Sequence, residues 1–280
     1  MVSMHQLDRL IDLALEEDIG NGDITTETLI PAEAEGRAEI VAKETLVVAG
    51  LYVARSVFLR LDSSLAFETA FTDGDRAAPG DCLLQIVGRL QPLLTGERTA
   101  LNFLQRLSGI ATHVRRFRDA LPETAIRLVD TRKTTPGWRA LEKYAVRMGG
   151  AANHRMSLSD GILIKDNHVA ICGGIRAALE KARRSAPHTL KLEIEVETPT
   201  QAEEAAEAGA HIIMLDNMGP EDIREAVQRI DGRALVEVSG GVTRENMAAL
   251  AASGVDIVSS GALTHSAVAV DISMSIVNAP

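Results

Sequence analysis

The second half of the chain repeats one pattern, and that pattern restricts the fold more than any other feature. Six apolar strand candidates end near Asp130, Lys165, Glu195, Asp216, Val238 and Ser259. A helix-like run follows each of the first five: Arg139–Arg147, Gly174–Arg184, Thr200–Ala208, Glu221–Ile230 and Thr243–Ala252. The last three strand-to-strand intervals are 21 or 22 residues, which is the length a βα unit needs. Strands that alternate with helices at this spacing lie parallel in one sheet. Six or seven such units point to a closed or nearly closed βα barrel. The alternative is a doubly wound sheet, but no GxGxxG opens a first βα turn here.

The first part of the chain reads differently. Leu7, Leu10, Ile11, Ala14 and Leu15 follow helical spacing, and "DIGNGDITT" ends that helix. "GRAEIVAKETLVVAG" reads as one or two strands, "LYVARSVFLRLD" as a helix, and "FTDGDRAAPGDCLLQIVGRL" as short strands around turns. Residues 1 to about 95 therefore form a small α+β unit. A further apolar stripe, Leu101, Leu104, Leu107, Ile110 and Ala111, marks a connecting helix, which Ser108-Gly109 is expected to interrupt or kink.

Barrel active sites lie at the C-terminal ends of the strands. Here those ends read Asp130/Arg132/Lys133, Lys165/Asp166, Glu195/Glu197, Asp216/Asn217, Glu237/Ser239 and Ser259/Ser260/Gly261. One charged strand end is ordinarily a solvated turn; six in register are harder to explain that way. Two late turns, "VSGGV" and "SSGAL", put Ser and Gly between strand and helix. There, exposed backbone N–H groups suit a phosphate.

The chain has 29 Lys+Arg against 39 Asp+Glu, a net charge of −10, so nucleic acid is excluded as the main partner. Yet Asp130 to His168 holds Arg132, Lys133, Arg139, Lys143, Arg147, Arg155 and Lys165, with His154 and His168, against four acids. A cationic cluster in an anionic protein indicates a small anionic ligand. Within it, Arg139, Lys143 and Arg147 are spaced by four, as on a solvated helix face. Glu193 and Glu197 alternate with Ile194 and Val196, so one or both fit solvated positions. His168 fits a role in ordering the "KDNHV" loop. The two cysteines, Cys82 and Cys172, form no metal or redox spacing. They fit a reduced cytosol. No basic-then-apolar signal segment opens the chain and no apolar run approaches a membrane span. Cytoplasmic location without a membrane partner is the expectation.

Long blocks carry a resemblance. "ERTALNFLQRLSGIAT", "DTRKTTPGWRALEKYAVRMGGAANHR", "ILIKDNHV", "EIEVE", "IIMLDNM", "EVSGGV" and "GDITT" resemble the quinolinate phosphoribosyltransferase family, in order from about Asp18 to Asp271. The resemblance implies phosphoribosyl transfer from phosphoribosyl pyrophosphate (PRPP) to quinolinate with decarboxylation. It implies magnesium on the pyrophosphate and no organic cofactor. It implies an N-terminal α/β sandwich, residues 1–105, and an irregular βα barrel, residues 106–269, in the manner of a type II phosphoribosyltransferase. A tail of about 270–280 would pack back on the sandwich.

The resemblance also implies roles. Arg132, His154, Arg155 and Lys165 would bind the quinolinate carboxylates. Arg98 would reach in from a neighbouring subunit of a homodimer or larger assembly. Lys133 would lie between the two substrates. Glu195 and Asp216 would meet the ribose hydroxyls or the magnesium. Ser239, Gly240, Gly241 and Gly261 would hold the 5′-phosphate. Val238 and Ser260 depart from the family pattern without removing a charge.

Three rival functions are weaker. A Schiff-base aldolase would also place a Lys at a strand end, and Lys133 and Lys165 qualify, but they lie among other cations. A lipoyl- or biotinyl-type carrier needs an attachment lysine, and none lies between Lys43 and Lys133. A non-decarboxylating nicotinate phosphoribosyltransferase is the nearest enzyme alternative.

Overall fold

A computed structural model describes residues 4–121 and 126–277. The chain divides into two compact units. One takes Met1–Arg115, Thr135–Gly150 and Ser266–Pro280; the other takes Arg116–Thr134 and Ala151–His265.

The first unit opens with helices α1 (Met4–Ile19) and α2 (Ile24–Leu29). Asp23 caps α2, its Oδ1 accepting from Thr26 N at 3.0 Å. There follow β1 (Glu35–Ala42), β2 (Leu46–Val47), α3 (Leu51–Leu61), β3 (Ala66–Glu68), β4 (Arg76–Ala77) and β5 (Cys82–Arg89). β1 is antiparallel to β5, β5 to β3, and β2 to β4. Ala38, Ile40 and Ala42 on alternate positions of β1 are wholly buried, as a sheet with one covered face requires.

Helix α4 (Leu90–Asp119) runs for 30 residues without a break at Ser108-Gly109, contrary to the sequence expectation. Both residues serve close packing instead. The Ser108 hydroxyl bridges the Ala49 backbone, accepting from its N at 3.0 Å. A Cβ at Gly109 would sit 2.1 Å from the Val268 carbonyl oxygen, so only glycine admits that strand of backbone.

The second unit begins at the end of α4. Its first strand, β6 (Arg127–Val129), leads into α5 (Arg139–Met148). By sequence, α5 belongs to the barrel, but its partners lie in the first unit. Glu142 pairs with Arg106 at 2.8 Å, and Tyr144 Oη donates to Asp73 at 2.5 Å. Lys143, expected on a solvated face, is fully buried. A four-residue charge spacing cannot reveal that the helix is enclosed.

The rest of the barrel follows in order: β7 (Ile162–Ile164), α6 (Asp166–Cys172), α7 (Ile175–Ser185), β8 (Leu192–Val196), α8 (Pro199–Glu207), β9 (Ile212–Asp216), α9 (Pro220–Ile230), β10 (Leu235–Ser239), α10 (Met247–Ala251), β11 (Ile257–Ser259) and α11 (Ala262–His265). The final strand, β12 (Ile272–Val277), belongs to the first unit, antiparallel to β1. The strands of the second unit are parallel and ordered β6-β11-β10-β9-β8-β7. The first strand thus pairs with the last, which requires the sheet to curl round on itself. Closure is incomplete. On its other side, among the described residues, β6 meets only a bridge from Val129 to Ala152 rather than β7. This is the irregular βα barrel expected. Outward residues such as Leu192, Ile194 and Val196 are buried. Inward ones, Glu193, Glu195, Met214, Asp216, Glu237 and Ser259, build the site.

Candidate active site

The barrel strands end close to the positions read from sequence, and their ends surround a cavity of about 540 Å³. Its lining includes Arg132, Lys133, His154, Arg155, Lys165, Glu195, Asp216, Ser239, Gly240 and Gly241. Ten of the expected site residues therefore converge. Gly261 joins them through its neighbours, since a Cβ there would lie 2.7 Å from Lys133 Cδ. Arg98 does not line the cavity; it is an exposed residue of α4 in the first unit.

Backbone contacts fix the Arg132–Lys133 loop. Lys133 N donates to Thr131 Oγ1 at 3.0 Å, and the Lys133 carbonyl accepts from Thr264 Oγ1 at 2.7 Å. Lys165 closes β7 and pairs with Glu195 at the end of β8. His168 acts as the loop-ordering residue: its Nδ1 accepts from Lys165 N at 2.9 Å and so caps α6. Asp216 Oδ2 accepts from Asn217 Nδ2 at 3.1 Å.

Arg155 Nη1 donates to the Gly161 carbonyl at 3.0 Å. Burial holds the guanidinium pKa below its ordinary value, and the positive charge of Arg132 adds to that. Two cations held close and partly desolvated suit an anion, although Glu193, Glu195 and Asp160 also act on Arg155.

After β10, Gly240 and Gly241 have φ of +86° and +60°. A Cβ at Gly240 would lie 2.1 Å from Asn217 Oδ1. Asn217 itself has φ of +53°, rare for a residue with a side chain. Successive N–H groups in such conformations make an anion-binding concavity. The "GG" pair was legible in the sequence; Asn217 as its supporting wall was not.

Below this cavity lies a group that sequence reading missed in part. Of Glu193 and Glu197, one or both read as solvated, Glu197 is exposed but Glu193 is buried, pointing into the barrel from β8. Glu237, expected at a strand end, is one residue layer deeper and 1% exposed. His154 Nε2 lies 3.3 Å from Glu193 Oε1 and 3.7 Å from Glu237 Oε1. Its Nδ1 accepts from Arg155 N at 2.8 Å. Asp130, fully buried, positions this segment by accepting from His154 N at 2.8 Å and Asn153 Nδ2 at 2.6 Å. Among the described residues, His154, Glu193 and Glu237 are the one trio of ligand atoms close enough to hold a metal. The tautomer opposes it. A ring whose Nδ1 accepts carries its hydrogen on Nε2, which then has no lone pair for a cation.

Comparison with known proteins agrees with this geometry. Residues 23–108 match the family described as "Quinolinate phosphoribosyl transferase, N-terminal domain", and residues 110–275 match the corresponding C-terminal domain. A Bacillus subtilis protein named "Probable nicotinate-nucleotide pyrophosphorylase (carboxylating)" is 44% identical over 97% of this chain and 93% of its own length. A Nicotiana tabacum protein named "Quinolinate phosphoribosyltransferase (decarboxylating) 1b" is 40% identical over 97% of this chain and 83% of its own. The crystal structure of NadC from Streptococcus pyogenes superposes with a TM-score of 0.95 at 43% identity, covering 99% of both chains.

Proposed function

This chain belongs to the quinolinate phosphoribosyl transferase family, and on that premise we propose a division of labour around the cavity. The enzyme transfers the phosphoribosyl group of PRPP to quinolinate with loss of carbon dioxide. The products are nicotinate mononucleotide and pyrophosphate, a step of NAD biosynthesis. The observation that carries the assignment of roles is the convergence of Arg132, Lys133, Arg155 and Lys165 on one cavity that also holds Asp216 and the Gly240-Gly241 turn.

The two substrates bring about six or seven negative charges together, which repel strongly at close range. Arg132, Arg155 and Lys165 bind the quinolinate carboxylates, the arginines with a planar fork and the lysine as a point charge. Lys133 lies between the substrates. Ser239, Gly240, Gly241 and Gly261 receive the 5′-phosphate. His154 lines the wall as a neutral ring, and its Nδ1 positions Arg155; it does not add a cation. Arg98 completes the site of a second subunit in a homodimer.

A magnesium ion would be held mainly by the PRPP pyrophosphate, with Asp216 as its protein contact. The Asp216 carboxylate lines the cavity and offers the hard oxygen donors that the ion prefers. Glu195, paired with Lys165, stands beside it and faces the ribose. When bound, the ion neutralises charge on the departing pyrophosphate.

Catalysis is then positioning and electrostatics. The pyridine nitrogen attacks the anomeric carbon as pyrophosphate leaves. The carboxylates of Glu195 and Asp216 favour the positive charge that develops on the ribosyl centre. The resulting pyridinium accepts the electron pair left when the adjacent carboxylate departs as carbon dioxide, and a proton takes its place. None of the described helices is long and apolar enough to cross a membrane.

The test is direct. Protein, PRPP, magnesium and carboxyl-labelled quinolinate should give equal amounts of nicotinate mononucleotide and labelled carbon dioxide. Mononucleotide without carbon dioxide, or activity only with nicotinate, would overturn the reading.

A further inference from the structure

We propose that the barrel interior takes up a proton when quinolinate binds, and that Glu237 holds it. The inference rests on the reading of the upper cavity given under "Proposed function" and adds a residue that reading does not use.

The two buried carboxyl groups have few donors: the His154 ring and, for Glu237, the Ser259 hydroxyl. Glu193 and Glu237 face the same imidazole from β8 and β10. That ring has one hydrogen to give, because its Nδ1 already accepts from Arg155 N. The hydrogen on Nε2 lies nearer Glu193, at 3.3 Å against 3.7 Å for Glu237. Glu237 Oε1 is buried without a hydrogen-bond partner. An ionised carboxylate left there is costly, whereas a protonated one carries its own donor.

The surroundings agree. Glu193 and Glu195 face Glu237 from β8, His154 faces it from the segment after Ala152, and Ser259 faces it from β11. Met214 is its partner on β9. Burial pushes the Glu237 carboxyl up to about 7 and the charge of Glu193 adds to this; a charged His154 would oppose it, but the accepting Nδ1 keeps that ring neutral. At neutral pH the group is therefore divided between its two forms.

Glu237 lines a second cavity of about 320 Å³, whose walls include Arg127 at the start of β6 and Lys191 just before β8. This cavity and the upper one share His154 and Arg155. Solvent protons can therefore reach Glu237 from the end of the barrel opposite the substrates. A dianion placed against Arg155 adds negative potential next to Glu237. That favours the neutral carboxyl, so binding and protonation support each other. The sign follows. Below pH about 7, Glu237 is already protonated and binding takes up little. Above it, the ionised carboxylate must take up a proton as the dianion binds, so affinity falls as pH rises. The uptake also places a proton inside the protein in a reaction that consumes one.

Titration calorimetry of the wild-type protein with quinolinate at pH 8, in buffers of different ionisation enthalpy, reads the uptake without any variant. The expected value is on the order of half a proton per site. Nicotinate, with one carboxylate, should give less. Glu237→Gln imitates the neutral carboxyl: it should bind quinolinate at pH 8 at least as tightly as wild type, with uptake near zero. Binding by wild type without uptake, or unchanged uptake in Glu237→Gln, would overturn this inference and leave the proposed function standing. Absence of any quinolinate binding would overturn both.

Discussion

Glu193 and Glu195 are two residues apart on one strand and face the same interior, yet they do different work. Glu195 stands at the strand end, half-buried, paired with Lys165 and open to the cavity. Glu193 lies about 7 Å deeper, buried beside His154 and Glu237. At the mouth, charges face solvent or substrate and balance one another. In the interior, one imidazole hydrogen and the Ser259 hydroxyl must serve two carboxyl groups. Depth along the strand, set by a spacing of two, separates groups that bind from groups that hold a proton.

Removing a cation from the mouth should have the largest effect. Arg132→Ala should lower kcat/KM for quinolinate by about 100-fold, or ~3 kcal/mol, since a bound carboxylate would lose its partner in a desolvated site. Steady-state kinetics with a circular dichroism check on folding would show it. A loss below about threefold would move Arg132 out of the site.

Gly240→Ala tests the turn that supports the phosphate. The new Cβ would meet Asn217 Oδ1 at 2.1 Å with φ at +86°, so turn and wall must both shift. Strain of ~2 kcal/mol should appear as about a 30-fold loss in kcat/KM for PRPP, with quinolinate affinity little changed. Loss confined to quinolinate would contradict the placement.

Arg155→Lys keeps the charge and loses the fork. About a tenfold loss for quinolinate is expected, ~1.4 kcal/mol. Wild-type kinetics would show that Arg155 acts only through its backbone contact with His154.

The smallest signal concerns Arg98. If it acts across a two-fold interface, Arg98→Ala and Lys133→Ala should rescue each other. A mixed dimer has one site with both defects and one with neither, so random mixing restores about a quarter of wild-type activity. Activity no higher than the mean of the parents, with mixed dimers confirmed by mass, would place Arg98 elsewhere.

The mouth was legible in the sequence and the interior was not, for a physical reason. A cation at the end of an apolar run, as in Arg132, Lys133 and Lys165, has one economical explanation in a parallel barrel. Glu193 between Leu192 and Ile194 has two. The same alternation describes a strand with one wet face and a strand facing a polar lumen. Helix α5 posed the same difficulty, since the spacing of Arg139, Lys143 and Arg147 does not disclose that Lys143 is enclosed. Gly109 looked like a break in α4 because sequence cannot show the Val268 carbonyl that needs its space. Strand ends, by contrast, came out within about a residue, because apolar runs and turn residues mark them locally.

The central claim is that the cations at the strand ends are matched to a dicarboxylate. It is tested most directly by the ratio of kcat/KM for quinolinate to that for nicotinate, measured on the wild-type enzyme at saturating PRPP and magnesium. One carboxylate would leave partly buried cations uncompensated, which costs several kcal/mol. The account therefore predicts a preference for quinolinate of at least about 100-fold. Comparable values for the two acids would contradict it.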